Sequence, residues 1–415
     1  MCGIIQSVQH PAEKRLIMKK LLTIVLIAVM AASCLMAGDF SFLFTELDQH
    51  PEILAGFLPT LVTVGAGYNG LDLLEGDLTQ IQATIGGGYT QRKVYQDPVD
   101  GSPLSGDFFV YDAIQTRWNL KFLQGLGESW IPEKDLVTLY AGYEGRWEQY
   151  VDSMVAGKLR SNGVDDIANP VETKYAVPTF ANWGGLSSSR VYADLAGDQK
   201  IIASIFYGGL KLNGMADDGV TSDGILGDLN FKWAPSGLST DGISYYSATL
   251  NVVASKTLFQ TKFENGSNAF SIVMIDRANV NWTDGSFVPV YAQRPVSLGR
   301  KVRGFNTGSF NTQFTVVNNF DIRFSGPDRM FNLGFLNGIF PRLNLFVDCG
   351  WHTGEYFNSS IKGSHFLAST GAQLEMSFMD FIDLGIQVAY ILTPTKNSGT
   401  PWTNLIMGAT FFLDF

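Results

Sequence analysis

In residues 404–415 every second side chain is apolar up to the last position, and most of the alternate positions are small or polar. Leu405, Met407, Ala409, Phe411, Leu413 and Phe415 share one face, and Gly408, Thr410 and Asp414 lie on the other. A period of two places successive side chains on opposite faces of a strand. The chain stops on the greasy face, so this strand has to be paired and surrounded by something apolar. The same beat runs through Leu384, Ile386, Val388 and Tyr390 against Gly385, Gln387 and Ala389, and through Leu374, Met376 and Phe378 against Gln373, Glu375 and Ser377. Consecutive strands that are apolar outside and small or polar inside fit a closed barrel in lipid. There, backbone groups facing hydrocarbon must all be paired and no sheet edge can stay open.

Composition agrees with that reading. Charged residues make up 16% of the 415-residue chain and aromatic residues 13%, with 44 glycines. A soluble domain carries roughly 25% charge. No interior run is long and apolar enough for a membrane helix, so strands must do any spanning. The net charge of -10, with Lys and Arg scattered, excludes a nucleic-acid binder that works by phosphate neutralisation. Cys2, Cys34 and Cys349 are too few and too far apart for a disulfide framework or a thiolate metal cluster. Cys349 sits at an apolar-face position and reads as a small hydrophobe.

Met18-Lys19-Lys20, an apolar run over 21–30 and the small residues Ala31, Ala32 and Ser33 form the three parts of a secretory signal. Met18 then reads as the start, with 1–17 as an upstream extension. Cleavage is expected after Ala37 or Gly38, while Ala31-Ala32-Ser33-Cys34 supplies the rival route, a lipoprotein box with Cys34 acylated. The opening Met1-Cys2-Gly3-Ile4-Ile5 resembles an N-terminal-cysteine glutamine amidotransferase. A nucleophile needs oxyanion donors in a folded domain around it, and here a signal follows at once. The expected organisation is 1–38 as extension and signal, 39–59 as a short N-terminal segment without room for a soluble domain, and 60–415 as the barrel.

Strands are predicted at 60–68, 80–90, 108–122, 136–147, 190–195, 201–212, 227–233, 246–254 and 270–275, with loops at 152–183 and 215–224. Five more follow, at 313–324, 342–350, 368–378, 383–392 and 404–415. That makes fourteen. The segments 40–47 and 174–180 would bring the count to sixteen, the preferred number, and an even count keeps both termini on the periplasmic side. The last strand is expected to close against residues 60–68.

No catalytic or metal-binding constellation emerges, and no cofactor is expected. His50, His352 and His365 lack ligand spacing and read as exposed loop residues. No serine stands in a nucleophile-elbow context. The acidic run Asp217, Asp218 and Asp223 lacks the spaced ligands of a calcium loop and reads as a solvated loop.

A polar wall is legible instead. Asp321 shares parity with Thr315, Asn319 and Arg323 and opposes Phe320, Ile322 and Phe324, while Asp348 shares parity with Arg342 and Asn344 and opposes Leu343, Leu345 and Val347. Both acids therefore face inward, after a long connection that carries Val302-Arg303-Gly304-Phe305. A guanidinium can bridge two carboxylates, and a confined charge has to be paired. Gly304 suits a tight turn, and Phe305 suits packing on the inner wall.

The Arg303-Gly304-Phe305 connection, the strand 319–324 with its acid and arginine, and the Asp348-Cys349-Gly350 strand resemble the bacterial surface antigen superfamily, the barrels of outer-membrane assembly and two-partner secretion. The resemblance implies sixteen strands, an internal loop whose arginine pairs with acids at the positions of Asp321 and Asp348, and opening between the first strand and the closing strand that bears Leu413 and Phe415. It implies an outer-membrane chain, in contact with lipid, that inserts or translocates protein. The soluble capture domains of that superfamily have no counterpart here, so separate periplasmic capture or assembly proteins are the expected partners of a monomeric barrel. A passive pore or a structural surface barrel is the alternative, since all share the fold.

Overall fold

The computed structural model describes residues 40–49, 59–68, 77–94, 107–128, 135–151, 200–218, 220–240, 242–293, 302–305, 312–327, 336–378, 382–393 and 405–413. It also describes the short stretches 73–74, 96–97, 101–103, 160–161, 191–192 and 331–333. The signal-like segment, Cys2, Cys34, His50, the strand expected at 174–180 and Phe415 lie outside the described residues.

The alternation does produce strands. In chain order they are β1 (Phe40–Gln49), β2 (Pro59–Tyr68), β3 (Thr79–Val94), β4 (Asp107–Glu128), β5 (Asp135–Val151) and the two-residue β6 (Arg160–Ser161). There follow β7 (Lys200–Asp217), β8 (Ser222–Ala234), β9 (Ser244–Lys262), β10 (Asn268–Phe287) and β11 (Thr312–Ser325). The last are β12 (Phe331–Leu333), β13 (Leu336–Tyr356), β14 (Lys362–Phe378), β15 (Ile382–Ile391) and β16 (Leu405–Leu413). One sheet follows chain order from β1 to β16, with β6 and β12 off its path as short additions to β4 and β13. Fourteen strands, all antiparallel to their neighbours, therefore make up the continuous path among the described residues, where sixteen were preferred. The even number returns the end of β16 to the edge from which β1 starts.

β13 sorts its side chains by parity. Leu345 is 44% exposed and Val347 45%, whereas Phe346 between them is 2% exposed and Asp348 is 0%. Elsewhere Ile85, Leu120, Phe231 and Ile386 stand out on the same outer face. Phe206 and Trp233, with ring centroids 6.0 Å apart, and Tyr246 and Trp282, 5.1 Å apart, form an exposed aromatic band across β7 to β10. Amphipathic rings there match the aromatic girdles of membrane barrels.

The opposite face is concave. Gln96, between β3 and β4, donates from Nε2 to the carbonyl of Phe357, between β13 and β14. Asn358 donates from Nδ2 to the carbonyls of Val191 and Val288. Val191, Tyr192, Val288, Val290 and Phe357 join wall residues such as Ile201, Ile205 and Tyr245 in one buried cluster. Four connections that are far apart on the path thus meet at one edge, which they do only if the sheet curls round.

Several sequence expectations change. The strand offered at 40–47 is present as β1 and pairs with β2, so among the described residues the sheet starts at Phe40 and not at 60. β2 is hydrogen-bonded to β1 on one side and β3 on the other, which leaves it no free edge for β16. Among the described residues β16 pairs with β15 alone, and the strand ends that would close the sheet are β1 and β16. Residues 191–192 form a turn, not a strand, because their apolar side chains are spent on the mouth cluster. The loop expected at 215–224 shrinks to 218–221, since Asp218 accepts from the backbone N–H groups of Val220 and Thr221 and makes its own turn. β10 runs on to Phe287, well past residue 275; the exposed Asp276 interrupts the apolar outer parity, which Ala278, Val280 and Trp282 then resume against Asn279, Asn281 and Thr283.

Candidate functional site

Residues 302–305 form a single turn pressed against the concave wall. The Phe305 N–H donates to the Val302 carbonyl at 3.3 Å. Gly304 holds φ at +94°, where L side chains are strained, and a Cβ on it would lie 3.0 Å from Cβ of Ala389. Val302 and Phe305 straddle the turn and bury against Val317, Leu367 and Ile391, from β11, β14 and β15. The apolar residues seat the turn and the arginine between them fixes its position.

Arg303 is held by both β11 and β13. Its backbone N–H donates to Oδ2 of Asp348 at 2.8 Å, Nε to the same oxygen at 2.7 Å, and Nη2 to Oδ1 at 2.6 Å. Nη1 lies 2.8 Å from Oδ1 of Asp321, an ion pair without hydrogen-bond alignment. Arg277 of β10 reaches the other oxygen of Asp321 at 2.5 Å. The guanidinium carbon sits 3.7 Å from the centroid of Phe346. Side-chain exposure is 12% for Arg303, 5% for Asp321 and 0% for Asp348, so these charges have traded water for one another. Cations and anions alternate from Arg277 to Asp321, Arg303 and Asp348, the arrangement a confined low-dielectric site tolerates. The arrangement holds a loop to a wall.

Two contributors had gone unnoticed in the sequence, and a third, Gly350, was seen only as part of a motif. Phe346 is a bulky ring on the polar parity of β13, and that mismatch was its signal. Arg277 was hidden by the early end assigned to β10. Gly350 leaves room for the turn, as a Cβ there would lie 2.7 Å from Cγ2 of Val302. Gly350→Ala should therefore destabilise the docked turn by about 1–2 kcal/mol, read as accelerated proteolysis of the connection. Adding Val302→Ala should recover much of the loss, and a double variant no better than the single would refute the steric account.

The histidine expectation is corrected. His352 lies in β13, is 0% exposed and contacts Thr312 Oγ1 through Nδ1 at 3.1 Å. Its Nε2 is 3.0 Å from Nδ1 of His365 on β14, which is exposed. β13 runs six residues beyond the end expected from the sequence, to Tyr356, and carries its concave parity through His352. Leu413 pairs with Ile382 at the end of β16.

No known protein family and no curated protein matches the sequence. Solved structures with a similar course of chain include BamA from Haemophilus ducreyi lacking POTRA domains 1–3, at 12% identity and a TM-score of 0.40, covering 90% of this chain and 70% of that one. CdiB from Acinetobacter baumannii is 11% identical with a TM-score of 0.40 over 85% of this chain, which spans only 56% of the CdiB chain. A bacterial polysaccharide outer membrane secretin is 7% identical with a TM-score of 0.31, covering 86% and 92% of the two chains.

Proposed function

We propose that the chain is an outer-membrane β-barrel of the surface antigen type, exported by the signal at 18–38, that assists protein insertion or translocation. The observation that carries this reading is the arginine turn buried against the inner wall. A turn held to the inner wall by charged residues of β10, β11 and β13 suits a barrel that stays shut and opens by rearrangement. The apolar outer face, the aromatic girdle and the even strand count support the membrane location, and no helix of the described residues is long and apolar enough to cross a membrane. Closure would join β1 to β16, and that seam is where a substrate strand would pair, because edge backbone groups recruit new strands. Outer-membrane lipid surrounds the monomeric barrel in this reading, and separate periplasmic proteins deliver the substrate.

Two measurements test it together. In planar bilayers the purified barrel should show small, flickering conductance. A photo-crosslinking residue placed in β1 or β16 should trap nascent outer-membrane chains in cells. Large steady conductance with no trapped chain would replace this reading with a passive pore.

A further inference from the structure

One cation on the concave wall stands outside the network that joins Arg277 to Asp348. Arg323 of β11 is half-buried, its Nε is shut off from water without a hydrogen-bond partner, and it makes no ion pair among the described residues. The nearest acid on its own face of β11, Asp321, is already shared by Arg277 and Arg303. Burial weighs most on the Arg323 charge, Arg342 and Arg277 repel it, and Asp217 and Glu375 attract it from a distance. Glu375 is engaged elsewhere, since one of its oxygens accepts from Nδ2 of Asn344 at 3.0 Å and the other from Nε2 of Gln373 at 2.7 Å. A partly desolvated guanidinium beside two others is unfavourable unless an anion joins them.

Strand register brings further donors to the same place. Ser325 lies two residues beyond Arg323 on the same face and pairs directly with Arg342 of β13. Arg323 and Arg342 are therefore diagonal neighbours, about 7–8 Å apart, which lets side chains of this length reach one ligand. Ser325 is 0% exposed, and its Oγ has no hydrogen-bond partner among the described residues. The serine opposite it on β10, Ser271, behaves differently and donates from Oγ to the Val220 carbonyl at 2.8 Å. That bond carries the turn between β7 and β8 past β9 and onto β10, beside Ser325. The place lies at the edge of the sheet where β1 starts and β16 ends, because β11 finishes there and β13 begins there.

We propose that Arg323, Arg342 and Ser325 form a binding site for a carboxylate. A guanidinium fork matches the two oxygens of a carboxylate, and a serine hydroxyl can donate to either. Two arginines set against Asp217 and Glu375 accommodate one added negative charge better than the two of a phosphate. The end of a polypeptide and a small organic acid both carry such a group. The site goes beyond the insertion role and does not depend on it.

The probe is 4-fluorobenzoate, followed by fluorine NMR with the folded protein in non-ionic detergent, and 4-fluorobenzamide is the uncharged control for uptake into micelles. Wild type should bind the benzoate with millimolar affinity and the benzamide not at all. Arg323→Gln should weaken the benzoate by about tenfold or more and Ser325→Ala by about threefold, the scales of a charged and a neutral hydrogen bond. Heat resistance on gels separates a ligand site from a structural one. Without ligand, Arg323→Gln should be at least as resistant as wild type, because it removes a charge that no described residue pairs, and 4-fluorobenzoate should protect wild type alone. Equal binding by wild type and Arg323→Gln, or a loss of heat resistance in Arg323→Gln without ligand, would overturn the site. Tighter binding of 4-fluorophenyl phosphate would overturn the choice of carboxylate. Competition with tetra-alanine and its C-terminal amide distinguishes the two sources: displacement by the free acid alone assigns the site to a polypeptide end, and displacement by neither assigns it to a small acid.

Discussion

Arg303→Ala is expected to cost the folded protein about 3 kcal/mol, the scale of removing one partner from a buried charge network. The loss is large because Asp348 has no exposed surface and would keep a carboxylate that has given up water for a guanidinium now missing. Asp321 would suffer less, since Arg277 still reaches it. Contact with the Phe346 face adds to the loss, as a desolvated cation over an aromatic ring contributes up to about 2 kcal/mol. Arg303→Lys should recover only part, because an ammonium cannot bind both oxygens of Asp348 while lying flat on the ring. The measurement is a double-mutant cycle of Arg303→Ala with Asp348→Asn, read as the folded fraction on gels after graded heating. A coupling on the order of 2 kcal/mol fits groups in direct contact. Coupling indistinguishable from zero, with the connection equally protease-sensitive in all four proteins, would sink the docking account.

Ile386→Arg carries the second large effect, and it tests the solvent around the barrel. Ile386 is 61% exposed on the outer face of β15, and Gln387 beside it faces the concave side. In water, arginine at so exposed a position changes stability by no more than about 0.5 kcal/mol. In lipid, a charge on the outer face costs about 2–4 kcal/mol near the midplane. Folding into vesicles at graded urea concentrations should therefore show Ile386→Arg strongly destabilised and Gln387→Arg close to wild type. Equal behaviour of the two variants would remove the outer face from the membrane.

The sequence by itself determined the strands and their faces, because side-chain parity is a local property with a two-residue period. It therefore placed Asp321 and Asp348 on one inward wall although the strands that carry them are separate, and it marked Arg303 as the cation that needed them. Gly304 and Phe305 were legible for the same reason, since a turn needs a permissive backbone and an aromatic residue beside it needs a wall. What only the tertiary structure decided is which residues from different strands meet. The end of β10 blurred because Asp276 interrupts the apolar outer parity, and Arg277 was lost with it. The burial of His352 followed from the unexpected length of β13. That β1 lies outside β2 depends on hydrogen-bond partners, which the alternation of 59–68 does not specify, since either edge of that strand offers the same pattern. The stacking of Tyr291 on Arg146 joins residues far apart in sequence across the hollow of the sheet. Such a contact exists only because the sheet curls, and curl is a collective property of all the strands that no single one encodes.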